Sequence, residues 1–168
     1  DNNIPEIVED KNGDLWFCGF FHGLTKYSEK TGLFKKYTKP TADNFSYYGI
    51  FSGLKDKEGN LWFATAGRGL AKYNYEKDSF ALHFPQPDKC KDGSVRDENY
   101  VTAICEDKFE ADILWVTSLN GLYSFNKKNK QFIHYPSGVK NLPDEELVQI
   151  LYCEADSNGN LSLPRPRG

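Results

Sequence analysis

The 168-residue sequence contains no methionine and no apolar run long enough, about 18 residues, to span a bilayer. It opens at Asp1 with no leader-like segment, so a processed protein or an excised piece is expected, and the missing leader says little about compartment. Basic residues are not in excess. Lys and Arg number 21 against 24 Asp and Glu, and the net charge of -3 is spread along the chain. That excludes a nucleic-acid binder built on a basic stripe. The four cysteines (Cys18, Cys90, Cys105, Cys153) lie too far apart for a zinc ribbon or a redox Cys-x-x-Cys pair. Cys18, Cys105 and Cys153 fall in alternating apolar runs, where buried free thiols are expected in preference to a disulfide or a metal site. Helical periodicity is also scarce: the one helix candidate is 144–149.

What the chain does have is self-similarity. "NGDLWFCGFFHGLTKYS" at 12–28, "EGNLWFATAGRGLAKYN" at 58–74 and "ILWVTSLNGLYSFN" at 113–126 share Leu-Trp, then small or polar residues, then Gly-Leu and an aromatic. Trp16 and Trp62 are 46 residues apart, Trp62 and Trp115 are 53 apart, and a fourth copy places Ser162 47 residues after Trp115. A period of roughly 40–50 residues marks an array of structural units.

Each period reads as four short strands separated by Gly, Asn and Asp turns. They are expected at 4–9, 14–20, 24–28 and 33–38 in the first copy, and at 48–55, 60–65, 70–74 and 79–84 in the second. In the third they are expected at 100–106, 113–118, 122–126 and 131–135. Four antiparallel strands per period with a Trp at a fixed place describe a β-propeller blade, so the fold class is all-β. Blade repeats are expected at about 1–38, 48–84 and 100–135, with a stub at 147–163 and a tail at 164–168. This makes a partial propeller of about three and a half blades. The recurring Trp16, Trp62 and Trp115 are then expected to pack between blades.

Two apparent sites dissolve under the same alignment. His83 and His134 are placed at equivalent fourth-strand positions, with Lys36 as their counterpart, so they point away separately and hold no metal. Gly67-Arg68-Gly69 joins two strands and opens no helix, so it is not a phosphate loop. No cofactor motif and no nucleophile elbow occur, and the recurring Asp10, Asp56, Asp107 and Asp156 read as turn-formers.

The pattern Glu9-Asp10-x-x-Gly13-x-Leu15-Trp16-Phe17, echoed by Asp56-x-x-Gly59-x-Leu61-Trp62-Phe63 and closed by Phe34-x-x-Tyr37 or Phe132-x-x-Tyr135, resembles the two-component regulator propeller repeat. That resemblance implies the extracytoplasmic, periplasmic sensor region of a hybrid two-component system of the Bacteroidetes type. In such systems propellers precede a membrane span, a histidine kinase and a DNA-binding module, and the usual signals are oligosaccharides. None of the kinase, receiver or DNA-binding motifs lies in these residues, so this segment is expected to be non-enzymatic. Two departures stand out: such propellers close with about seven blades, and the fourth copy carries Ser162 where Trp belongs before running into Pro-Arg-Pro-Arg.

A ligand is expected on the side of the blades where the long fourth-to-first connections gather, at 39–47, 85–99 and 136–146. Phe20, Phe21, His22, Arg68 and Asn120 belong to that side, as do Tyr47, Tyr48, Arg96 and Tyr100 just before the first strands. Aromatic faces beside forked donors suit a sugar. A propeller lyase or glycoside hydrolase would draw on Asp43, Asp97 and Glu98 there. A protein-interaction scaffold is the other alternative, though the Trp-Asp ending of WD repeats is absent. Three blades and a stub leave two open faces, for which the expected partners are the remaining blades of a longer propeller or a second copy of the chain.

Overall fold

The computed structural model describes residues 3–37, 49–85, 99–119 and 121–135, and the strand residues 154–155 and 161–162. The helix candidate at 144–149 lies outside them. The described residues form three four-stranded antiparallel sheets and one two-stranded sheet. In the first sheet β1 (Glu6–Glu9), β2 (Leu15–Gly19), β3 (Gly23–Ser28) and β4 (Leu33–Tyr37) lie in sequence order. The second sheet holds β5 (Ile50–Lys55), β6 (Leu61–Thr65), β7 (Gly69–Asn74) and β8 (Ser79–His83). The third holds β9 (Val101–Glu106), β10 (Ile113–Ser118), β11 (Gly121–Asn126) and β12 (Phe132–Tyr135), and β13 (Glu154–Ala155) pairs with β14 (Leu161–Ser162). The first strands β1, β5, β9 and β13 are successive neighbours, which makes them the inner strands of consecutive blades.

Alternation along each strand divides its residues between two neighbours. On β6, Leu61 and Phe63 pack toward the first blade with Trp16, Cys18, Tyr73 and Phe80. Trp62 and Ala64 pack toward the third with Val101, Leu114, Tyr123 and Phe125. A central blade thus has two buried faces, which is why β6 is buried along its whole length. Trp16 sits 4.6 Å from the Tyr73 ring and 5.6 Å from Phe63, and Trp62 sits 5.6 Å from Phe125. Both are inter-blade knobs. Trp115 has the same register but only half-buries, resting on Tyr135 at 5.3 Å.

The recurring aspartates do more than form turns. Asp10 Oδ1 accepts from the amides of Asn12 and Asp14, while its Oδ2 accepts the Trp16 indole Nε1–H at 3.0 Å. Asp56 repeats this with Glu58, Asn60 and Trp62, and Asp107 with Phe109, Glu110 and Trp115. One carboxylate both closes the β-turn and satisfies the only polar atom of a buried Trp, which would otherwise lose its hydrogen bond on leaving water. At the second interface Lys127, almost fully buried, places Nζ 3.1 Å from Asp56 and 3.3 Å from Glu106, joining the third blade to the second.

Two sequence expectations are overturned here. Leu70 pairs with His83 and Leu122 with Tyr135, so the register counterparts are Tyr37, His83 and Tyr135. His134 instead pairs with Tyr123 and stacks on its ring at 4.5 Å. A one-residue slip in the fourth strand exchanges the two faces, and aligning on the histidines made that slip. Cys18 is free and buried, which raises its thiol pKa, but Cys105 is disulfide-bonded. Alternation reports which way a side chain points, not what its sulfur meets.

Candidate functional site

The turn between the second and third strands of each blade is pinned to the entry of the first strand by one backbone bond. Phe20 N donates to Asn3 O, Ala66 N to Gly49 O and Leu119 N to Tyr100 O. The blades therefore present Phe20, Ala66 and Leu119 at matching heights on the long-loop side. At Gly49 the second blade runs so close to the first that a Cβ there would sit 2.1 Å from Phe20 O. Only glycine permits that approach.

This close approach brings aromatic rings of three blades into line. Phe21 lies 4.6 Å from Phe20, Phe20 lies 5.0 Å from Phe51, and Phe51 lies 5.2 Å from Tyr100. Phe51 is the residue that sequence reasoning missed. It sits at a β-bulge: Ile50 pairs with Thr65 and Ser52 with Ala64, so Phe51 has no register partner. A bulge turns its residue out of the alternation and commonly re-aims a side chain beside a functional site. The signal in the sequence was present in the run Gly49-Ile50-Phe51-Ser52-Gly53, where strict alternation breaks. A second bulge in β9 falls between the Val101–Ser118 and Ala103–Thr117 pairs, and the Thr102 hydroxyl lies 2.9 Å from that of Thr117.

Polar side chains border the arc. His22 is exposed. It occupies the turn position just before a glycine of positive φ, as Arg68 does in the second blade. The Arg68 turn is held by its own amide donating to Thr65 Oγ1 at 3.1 Å, while the Thr65 hydroxyl donates to Gly69 O at 2.7 Å. Arg68 Nε is buried and has no hydrogen-bond partner among the described residues, an unspent donor on this side of the molecule. Of the residues expected at the site, Phe20, Phe21 and Tyr100 fall within one chain of ring contacts. His22 and Arg68 stand on the adjoining turns, and Tyr47, Tyr48, Arg96 and Asn120 lie outside the described residues.

Among the described residues, two cavities of about 360 and 370 Å³ open on the opposite, tight-turn side, between the first and second blades. The first is lined by Lys26, Lys35, Tyr37, Tyr73 and Asp78. Its polar groups are already matched: Tyr37 and Tyr73 donate to Asp78 Oδ1 at 2.6 and 2.7 Å, and Lys35 pairs with Oδ2. Burial alone would raise the Asp78 pKa, but these partners hold it at about 2. This is a cross-blade clasp with little left to offer a ligand.

The chain is similar over 97% of its length to the extracellular domain of a protein described as a hybrid two-component system of B. thetaiotaomicron, BT3049. The two are 27% identical with a TM-score of 0.76, and the match takes in 22% of that structure. A second such extracellular domain from the same organism, BT4673, matches 97% of the chain and 20% of its own length at 21% identity and a TM-score of 0.70. Virginiamycin B lyase of Staphylococcus aureus matches 83% of this chain and 43% of its own at 14% identity and a TM-score of 0.59, a likeness of fold alone. No family model matches the chain, and no curated protein does. The chain spans about a fifth of the length of the two B. thetaiotaomicron domains. Its resemblance to the extracellular domains of hybrid two-component systems therefore rests on the first of these, at 27% identity, and its fold is that of β-propeller blades. No helix among the described residues is long and apolar enough to cross a membrane.

Proposed function

We propose that this chain is a segment of a periplasmic propeller that senses a ligand for a hybrid two-component regulator, and that the ligand is an oligosaccharide met on the long-loop side. The observation that carries the reading is the arc Phe21–Phe20–Phe51–Tyr100, with the unpaired Arg68 Nε on the same side. Ring faces cover the C–H patches of a sugar, and a guanidinium can donate to two hydroxyls at once. The backbone pins fix these groups before a ligand arrives, so less ordering entropy is lost on binding. In a parent chain, binding here would bias the propeller's packing against whatever follows it, and that bias would reach transcription through a kinase.

Isothermal titration against a panel of plant and host oligosaccharides tests this. Arg68→Ala and Phe21→Ala each remove a group that supports no core cluster. Each should weaken binding about tenfold, the loss of one charge-assisted hydrogen bond or one ring contact, with the melting temperature unchanged. No binding by any glycan, or wild-type affinity in both variants, would overturn the proposal.

A further inference from the structure

Among the described residues, the lysine and arginine side chains that the fold draws partly out of water are Lys26, Arg68, Lys72 and Lys127. The lysines are each met. Lys26 places Nζ 2.6 Å from Asp14, Lys127 lies between Asp56 and Glu106, and Lys72 rests over the Trp62 ring, 5.0 Å from its centroid. Arg68 has no carboxylate among the described residues, and its Nε is shielded from solvent without a bond. Drawing a charge out of water without a counter-ion is costly. A lysine can shed its proton to escape that cost, whereas a guanidinium cannot.

Carboxylates are scarce at this whole end of the blades. Strands alternate direction, so the first-to-second and third-to-fourth turns share the side opposite Arg68. Asp10, Asp14, Asp56 and Asp107 stand in the former turns, and Glu29 and Asp78 in the latter. Among the described residues Glu6 is the exception at the long-loop end, and its Oε2 accepts the Gly53 amide at 2.7 Å. β6, which separates the Arg68 turn from the Asp56 turn, is 5 residues long, about 17 Å at the usual rise per residue. The Debye length at physiological salt is about 8 Å. The distant acids therefore do little to neutralise Arg68.

Arg68 is also tied to the aromatic arc. Ala66, in the same turn, donates its amide to Gly49 O at 2.9 Å, and Gly49 lies against Phe20 O. A sugar ring on Phe20 thus has a guanidinium on the neighbouring turn. From this, and resting on the reading of this side as a glycan site, we infer that the oligosaccharide is acidic: it carries a uronate whose carboxylate is the counter-ion of Arg68. A planar carboxylate accepts two parallel bonds from Nε and a terminal nitrogen. Among the described residues the Arg68 side chain has no bond to break as it turns that edge to a ligand.

Isothermal titration of the chain with oligomers of galacturonate, glucuronate and mannuronate, each beside its carboxyl-reduced neutral form, tests this. The best-bound acid should bind about tenfold tighter than its neutral form, the worth of one charge-assisted bond. That ratio should fall to about one in Arg68→Gln, and also in the unmodified chain at about 1 M salt, where the Debye length is about 3 Å. Phe21→Ala should weaken both forms alike and keep the ratio, which separates the charge from the rings and from damage to the fold. A neutral form that binds as well as its acid, or a ratio that survives Arg68→Gln, would overturn this inference and leave the wider glycan reading standing. Binding of no glycan at all would overturn both. Sodium acetate, the bare carboxylate, should not displace the oligomer at equal concentration; displacement would assign Arg68 to a free anion and defeat the inference.

Discussion

Replacing Asp56 with alanine should be among the most damaging single changes to this chain, and the structure gives its size. The carboxylate is buried and receives four kinds of donor: the amides of Glu58 and Asn60 at 3.0 and 2.8 Å, the Asn60 side chain, the Trp62 indole at 2.9 Å and the Lys127 ammonium at 3.1 Å. Loss of the indole partner leaves a buried N–H unsatisfied, at about 1.5–3 kcal/mol for a bond to a charged acceptor. Lys127 keeps Glu106 at 3.3 Å, so its loss is partial, about 1–2 kcal/mol. The turn amides can reach water and add about 0.5–1 kcal/mol. The expected total is about 4 kcal/mol, against a typical domain stability of about 5–15 kcal/mol. Among the described residues Asp10 has no lysine partner, but it holds Trp16, so Asp10→Ala should cost about 2–3 kcal/mol. Asp107 serves the half-buried Trp115 and should cost about 1–2 kcal/mol. Urea melts followed by tryptophan fluorescence measure all three. Asp56→Asn keeps an acceptor for the indole and loses the charge facing Lys127, so it should fall between wild type and alanine. An Asp56→Ala loss below about 1 kcal/mol, or a larger loss at Asp107 than at Asp56, would refute the argument that the carboxylate, its Trp and Lys127 act as one joint. The pH dependence has a fixed sign. Burial by itself would raise the Asp56 pKa, but Trp62, Asn60 and Lys127 hold it below its ordinary 3.8. Its contribution is therefore complete above that value and is lost as pH falls through the lower folded one.

Trp62→Ala should cost about 3–5 kcal/mol, as large-to-small changes in a packed interior do, while Trp115→Ala, on a half-covered face, should cost about half as much; equal losses in denaturant melts would contradict the difference in their packing. His83 lies between the Trp62 and Phe125 rings, and burial, then Lys130 and Lys72, lower its pKa from 6.5 to about 4. The folded state then binds fewer protons than the unfolded one across that interval, so stability should decline as pH drops from about 6.5 to 4. His83→Phe should flatten that slope in melts across the same range, and a slope that persists would place its origin elsewhere.

The sequence by itself determined the repeat, the blade and almost every strand. Leu-Trp followed by a Gly-Leu turn recurs at a fixed register, and a two-residue alternation needs no long-range knowledge to assign strands. It also placed the long connections on one side, because antiparallel strands alternate direction. Three things were decided only when the chain folded. Phe51 reaches the aromatic arc because a bulge breaks the alternation, and a bulge is a property of two paired strands, not of one segment. The aspartates at 10, 56 and 107 were legible as turn residues, but their bonds to Trp indoles close six or eight residues away across a hairpin. His83 and His134 looked equivalent in composition and proved to be one register step apart, which sends them to opposite faces of their sheets. Local pattern fixes which residues alternate. Which neighbour each face meets, and which polar atom finds which partner, depends on strands that approach from far along the chain.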